Sequence, residues 1–96
     1  MARKVAWTEP AWDDLEAVAE YIARDSKFYA AALIQEAYDA ADSLCNLADR
    51  GQSVPEFGDD SIRELLVKPY RLIYKLTDEH VFIVAFIHGA QRLWRL

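Results

Sequence analysis

In the first half of the chain, apolar residues recur every three or four positions, which is the spacing of amphipathic helices. This period predicts one helix from about Glu9 to Arg24, with Thr8 as its N-cap. A second helix begins after the break at Asp25-Ser26, and we expect it to run to Arg50, with Gly51 at its C′ position. Because the connection is short, the two helices form an antiparallel hairpin.

Outside the two helices the apolar period is two, the period of half-buried strands. The stretch Gly51–Asp60 carries Pro55 and Gly58 and indicates a loop or a short edge strand. Residues 77–80 are polar and form a four-residue hairpin connection. The predicted strands are Arg3–Trp7, Ile62–Lys68, Tyr70–Leu76 and Val81–His88.

The last predicted strand, Val81–His88, is apolar on both faces up to Ile87. A strand of this kind is central in its sheet and covered on both sides. The helix hairpin provides one cover, and the other is the C-terminal tail with Trp94 or another chain. The pattern therefore predicts a two-layer α+β domain over residues 1–96: a strand, a helix hairpin and an antiparallel β-meander.

Composition narrows the class of protein. With 96 residues, 53% hydrophobic and 28% charged, the chain is long enough for one core and too apolar for a disordered protein. The single cysteine, Cys45, excludes an internal disulfide and favours a reducing compartment. The longest apolar run is too short to span a membrane, and the N-terminus lacks a signal-peptide core. We therefore expect a cytoplasmic protein with no membrane partner.

Charge is distributed unevenly along the chain. Residues 1–60 carry 5 Lys and Arg against 13 Asp and Glu, whereas residues 61–96 carry 6 against 3. The acidic portion argues against wide phosphate contact, because each neutralised phosphate needs a Lys or Arg nearby. Direct DNA binding is not expected, although the last third could form a local positive patch.

The common nucleotide-binding and hydrolase motifs are absent, and the two histidines and one cysteine lack metal-ligand spacing, so we expect no cofactor and no metal. Four residues of the predicted sheet remain as candidates: Arg63, Arg71, His88 and Arg92. Strand alternation places Arg71 on the face away from the helices, which we expect to be open. Such a set can hold a phosphodiester and move a proton. The alternative, which we favour on the residues alone, is structural ion pairing and a strand-capping histidine. Trp94 either folds over the sheet or anchors a partner.

The order and spacing of several short pieces resemble the RelE/ParE superfamily of bacterial type II toxins, most closely its ParE branch. The pieces include Val5-Ala6-Trp7-Thr8, Tyr21-Ile22-Ala23, Val54-Pro55-Glu56, Ile62-Arg63-Glu64-Leu65, Tyr70-Arg71-Leu72-Ile73-Tyr74 and Ile87-His88-Gly89-Ala90-Gln91-Arg92. The resemblance implies the same strand, hairpin and meander, with the first strand beside the last. It also implies a cognate antitoxin that wraps the toxin, which an under-covered sheet face would suit.

Two activities are known in that superfamily. ParE-like members are thought to poison DNA gyrase, and on this interpretation Arg63, Arg71, His88, Arg92 and Trp94 contact the target or the antitoxin. RelE-like members cut mRNA on the ribosome, in which case the first four of these residues are catalytic. Because Gly89 stands where some nuclease members have tyrosine and the chain is acidic overall, the resemblance favours a gyrase inhibitor that is not an enzyme. An inactive binding module, and a homo-oligomer or a toxin–antitoxin hetero-oligomer, stay open.

Overall fold

The chain folds as a five-stranded mixed sheet with two helices packed on one of its faces. The structure, a computed structural model, describes residues 2–93, so Trp94 lies outside the described residues. In chain order the elements are β1 (Lys4–Trp7), α1 (Glu9–Ala23), α2 (Lys27–Ser43), a 3₁₀ turn (Ala48–Arg50), β2 (Gln52–Ser53), β3 (Ile62–Val67), β4 (Tyr70–Leu76) and β5 (His80–His88). The predicted α+β class is confirmed. Within residues 2–93 neither helix is long and apolar enough to cross a lipid bilayer.

The strand order is β1-β5-β4-β3-β2, so the first strand lies beside the last one, as expected. β1 runs parallel to β5, with Lys4 opposite His80, whereas the other neighbours are antiparallel. β5 is an interior strand because β1 and β4 flank it. The predicted burial of this strand follows from its position: Val81, Ile83 and Ala85 are all fully buried.

Both helices begin at the predicted N-caps. The Thr8 Oγ1 accepts a hydrogen bond from the Ala11 N–H and donates one to the Ile83 carbonyl at 2.7 Å, which also ties the helix start to β5. The Ser26 Oγ accepts from the Tyr29 N–H in the same manner. Each side chain thus satisfies a backbone donor that has no partner inside its helix.

The expected end of the second helix at Arg50-Gly51 is wrong. α2 stops at Ser43, whose hydroxyl donates to the Ala40 carbonyl, and a turn followed by the 3₁₀ segment leads to Gly51. Gly51 has an extended backbone and not the left-handed one of a C′ glycine. The reason for a glycine is space, since a Cβ at Gly51 would overlap the Tyr74 hydroxyl and the Glu64 carbonyl.

Two apolar clusters fill the spaces on the two faces of the sheet. The larger one lies between the sheet and the helices and contains the buried residues Ala11, Leu15, Ala37, Ala41, Leu44, Ala48, Val67, Leu72, Tyr74, Val81, Ile83 and Phe86. The smaller one lies on the opposite face, called the far face below, and contains Val54, Ile62, Ile73, Ala85, Ile87 and Leu93. The far face is therefore covered over β3, β4 and β5 by the loop before β3 and by residues 89–93, which follow β5.

A β-bulge in β5 reverses the alternation of its side chains. Tyr74 pairs with Ile83, but Ile73 pairs with Ala85, so Val84 falls between two register pairs. Ile83 and Phe86 consequently both face the helices, although strict alternation would put them on opposite faces. The Phe86 N–H is bound by the Asp14 carboxylate of α1 at 3.1 Å, which joins the bulge to the helix layer.

The Tyr74 hydroxyl joins the end of the helix layer to the sheet, because it donates to the Ala48 carbonyl and accepts from the Gly51 N–H, both at 2.9 Å. Burial raises the pKa of this phenol.

We predict that Tyr74→Phe lowers the free energy of unfolding by about 1–3 kcal/mol, because two buried backbone groups lose their partner. Urea unfolding measures the change. Tyr70→Phe, in a half-buried tyrosine of the same strand, is the control, and equal losses in the two variants would contradict the prediction.

Candidate functional site

The structure does not bring the four predicted basic residues together. Arg71 lies on the far face, whereas Arg63 and His88 lie on the helix side, because they pair across the strands with Tyr74 and Tyr70. These two tyrosines are four residues apart, so Arg63 and His88 are about 13 Å apart along the strand direction. They also lie on β3 and β5, with β4 between them. Only Arg92 shares a cleft with Arg71.

Arg71 is buried, with 7% of its surface exposed, so the expected open position is wrong. Its guanidinium donates all five of its N–H groups. Nη1 and Nη2 contact the Glu56 carboxylate at 2.9 Å each, Nε and Nη2 contact Glu64 at 3.0 and 3.2 Å, and Nη1 also contacts the Gln91 carbonyl at 2.8 Å. The side chain was expected in solvent because the covering loop and C-terminal segment are not visible in strand periodicity.

Glu56, Arg71 and Glu64 form an ion-pair group, which we call the Arg71 clasp. Glu64 reaches Arg71 from β3, where it is the diagonal neighbour, and Glu56 reaches it from the loop that follows β2. The hydrogen bonds from Arg71 are the main reason that the pKa of Glu56 falls to about 2, with a smaller contribution from the Leu93 N–H. The Glu56 carboxylate likewise raises the pKa of Arg71, so this pair is charged at neutral pH.

Arg63 is held by backbone oxygens at the edge of the sheet. Its Nη1 donates to the Gly51 carbonyl at 2.8 Å and its Nε donates to the Asp60 carbonyl at 3.0 Å. These bonds join the two ends of the loop that contains Glu56. In this arrangement Arg63 supports the loop that supports Arg71.

His88 is exposed at the end of β5. Its Nδ1 accepts a hydrogen bond from the Ala90 N–H at 3.2 Å, so Nε2 carries the proton of the neutral ring. The imidazole meets the Tyr70 ring edge to face, with the ring centroids 5.9 Å apart. The neutral ring thus offers a bound molecule its Nε2–H as a donor, while its basic nitrogen is bound by the Ala90 N–H.

Arg92 lies beside an open cleft of about 400 Å³ above the clasp, which the side chains of Glu56, Glu64 and Leu66 also line. Its own side chain is exposed. The cleft contains two carboxylates and two guanidiniums, so its charges balance, unlike the excess of positive charge that a phosphodiester site requires. No three His, Cys, Asp or Glu side chains of residues 2–93 come together in a way that could hold a metal ion.

A second surface feature is an apolar groove between the outer sides of α1 and α2. It has a volume of about 400 Å³ and is lined by small and aromatic residues that include Trp12, Ala19, Ala23, Ala30 and Ile34. The Trp12 side chain in this groove is 41% exposed. An exposed apolar groove of this kind is typical of an interaction surface.

Two residues of the clasp, Glu56 and Glu64, were not singled out from the sequence as site residues. Both lie within the short pieces that carry the family resemblance. The sequence could have predicted the contact of Glu64 with Arg71, because adjacent antiparallel strands place the two residues near each other and opposite charges pair across strands. The contact of Glu56 could not be predicted in this way, since it lies in a loop whose path depends on the whole fold.

A family model described as "ParE toxin of type II toxin-antitoxin system, parDE" matches residues 5–93. This chain belongs to the ParE toxin family. It is also 35% identical to Toxin RelE2 of Caulobacter vibrioides over 89 residues, which cover 92% of this chain and 97% of that protein. The ParE-family chain is therefore a toxin of a type II toxin–antitoxin system, and the resemblance found in its sequence is confirmed.

Two solved structures share the fold of this ParE-family toxin. The chromosomal ParDE toxin–antitoxin system of P. aeruginosa matches with a TM-score of 0.73 at 20% identity, covering 91% of this chain and 96% of that one. The toxin–antitoxin complex RelBE2 of Mycobacterium tuberculosis matches with a TM-score of 0.61 at 21% identity, covering 95% of each chain. At these identities the two matches show the fold alone.

The burial of Arg71 generates a prediction about stability. We expect Arg71→Ala to lower the free energy of unfolding by about 3 kcal/mol, because two carboxylates lose their partner. The melting temperature should fall by more than about 10 °C. Arg92→Ala, which removes an exposed arginine from the same cleft, is the control and should stay within about 0.5 kcal/mol of the parent. Thermal melts that coincide for the two variants would mean that Arg71 does not hold the fold together.

The pKa of Glu56 generates a second prediction. Because the folded-state pKa is about 2, against an ordinary value of 4.5, the contribution of Glu56 to stability is complete above about pH 4.5 and is lost as the pH falls toward 2. Urea unfolding of the parent and of Glu56→Gln should therefore differ at neutral pH and converge across this window. Glu36→Gln, at an exposed position of α2, is the control. A parent–variant difference that does not change with pH would contradict the assignment.

Proposed function

We propose that this ParE-family toxin stops growth by contact with a protein target, DNA gyrase, and that a cognate antitoxin neutralises it. The single observation that carries the proposal is the burial of Arg71 in the clasp. An arginine whose five donors are all used inside the protein has none left for a phosphate. The toxin therefore acts through its surface and not by breaking a bond, and the cytoplasm is where it would meet such a target.

The distribution of the other candidates supports action by contact. A ribonuclease of this size needs a group that holds the phosphate close to a group that moves the proton. His88 and Arg63 lie on the face opposite Arg71, and Arg63 is occupied by two carbonyl groups. Of the four candidates, Arg92 is the one that combines an exposed guanidinium with a cleft, and such an arginine is suited to a carboxylate or an aromatic ring of a protein partner.

For the antitoxin we propose the groove of the helix hairpin, where its occupant is an amphipathic helix. The expected site on the sheet is less suitable, because the far face is covered by the chain's own loop and C-terminal segment. Besides its apolar residues the groove is lined by Glu16 and Glu20 of α1 and by Lys27 of α2, whose charges would fix the direction of a helix with complementary charges. The two similar structures are a toxin–antitoxin system and a toxin–antitoxin complex, which supports a partner of this class.

The test of the activity is one induction experiment with two readouts. We expect induced toxin to stop growth with filamentation and a DNA-damage response, while bulk mRNA stays intact, and coexpressed antitoxin should restore growth. Arg92→Glu should relieve the arrest, because it reverses the charge at the exposed rim, and it should leave the thermal melt unchanged. Rapid codon-dependent mRNA cleavage would instead establish the nuclease, and the absence of any arrest would favour an inactive module.

A further inference from the structure

The segment that follows β5 is held to the body of the toxin on both sides of Arg92. The Gln91 carbonyl accepts from Arg71 at 2.8 Å, and the Leu93 N–H donates to the Glu56 carboxylate at 3.2 Å. The Leu93 side chain is buried in the smaller apolar cluster. Arg92 lies between these two fixed residues with its own side chain exposed, so its backbone is fixed and its guanidinium is presented outward.

Glu56 has a position in the clasp that Glu64 does not share. The Glu56 Oε2 accepts from both Arg71 and the Leu93 N–H, so this carboxylate contacts the C-terminal segment directly. It also fixes the Arg71 Nη1 that donates to Gln91. Glu64 contacts Arg71 through Nε and Nη2, and among the contacts of residues 2–93 it has none to the segment. The two glutamates therefore separate two roles, since both stabilise Arg71 but only one holds the segment.

We propose that Glu56 is a positioning residue: through Arg71 and the Leu93 N–H it fixes Gly89–Leu93 so that Arg92 meets the target in one orientation. This inference rests on the proposed function, in which the toxin acts by contact. A segment that is already ordered loses less conformational entropy when it binds, so the clasp increases affinity without touching the target.

The test compares Glu56→Gln with Glu64→Gln in the purified full-length toxin. Trypsin cleaves after arginine only where the chain opens locally. The rate of cleavage after Arg92, followed by mass spectrometry of the fragment that ends there, therefore measures how often residues 89–93 detach from the body of the toxin. We expect Glu56→Gln to speed this cleavage roughly tenfold or more, because bonds to a charged carboxylate are replaced. Glu64→Gln should change the rate by no more than about threefold, since the segment keeps both of its bonds. Equal cleavage rates in the two variants would overturn the inference.

The same pair is then compared in the growth assay at matched protein levels, with melting temperatures measured beside it. Glu56→Gln should relieve growth arrest more than Glu64→Gln does, even where the two variants melt at similar temperatures. If the parent arrests growth and Glu56→Gln arrests it equally while its segment is cleaved faster, the positioning role is wrong and the proposed function stands. If the parent itself causes no arrest, the proposed function fails, and the role of Glu56 in target contact fails with it.

Discussion

The burial of one guanidinium determines how the far side of this toxin is organised. Arg71 is in the middle strand of the sheet, and its partners come from β3, from the loop after β2 and from the segment after β5. A buried arginine needs a partner for each donor, because an unpaired charge away from water is costly. The loop and the segment supply those partners, and in doing so they bring Val54 and Leu93 onto the apolar face of the sheet. Charge pairing and apolar burial thus enforce the same arrangement.

On the helix side of the sheet, the β-bulge in β5 and the helix layer stabilise each other. The extra residue near Val84 lets β5 direct Ile83 and Phe86 to the helices while Ala85 and Ile87 fill the smaller cluster. The Asp14 carboxylate contacts the Phe86 N–H just beyond the bulge, so a residue of the acidic helix surface has a structural task. The same bulge directs His88 to the helix side, away from Arg71.

Most of the fold follows from the sequence because its elements are set by local pattern. The N-caps at Thr8 and Ser26, the bounds of β4 and the place of β5 inside the sheet all rest on residues close together in the chain. The 3₁₀ turn in place of the predicted helix end does not, because the Ala48 carbonyl and the Gly51 N–H are bound by the hydroxyl of Tyr74, more than twenty residues away. The candidate site was harder to predict from the sequence, for a related reason. Alternation correctly placed Arg71 on the far face, but the cover over that face and the reversal before His88 are products of long-range contacts, which periodicity does not contain.

The pairing of the first strand with the last has a consequence for how the toxin is made. Lys4–Trp7 can take its place in the sheet only beside His80–Ile83, so a growing chain exposes β1 and the inner surface of the helix hairpin until most of it has been synthesised. The sheet and the segment that carries Arg92 consequently assemble at the end of translation, and contacts between residues so far apart in the chain form slowly. In a nascent chain the helix hairpin is therefore available to a partner before the sheet is complete.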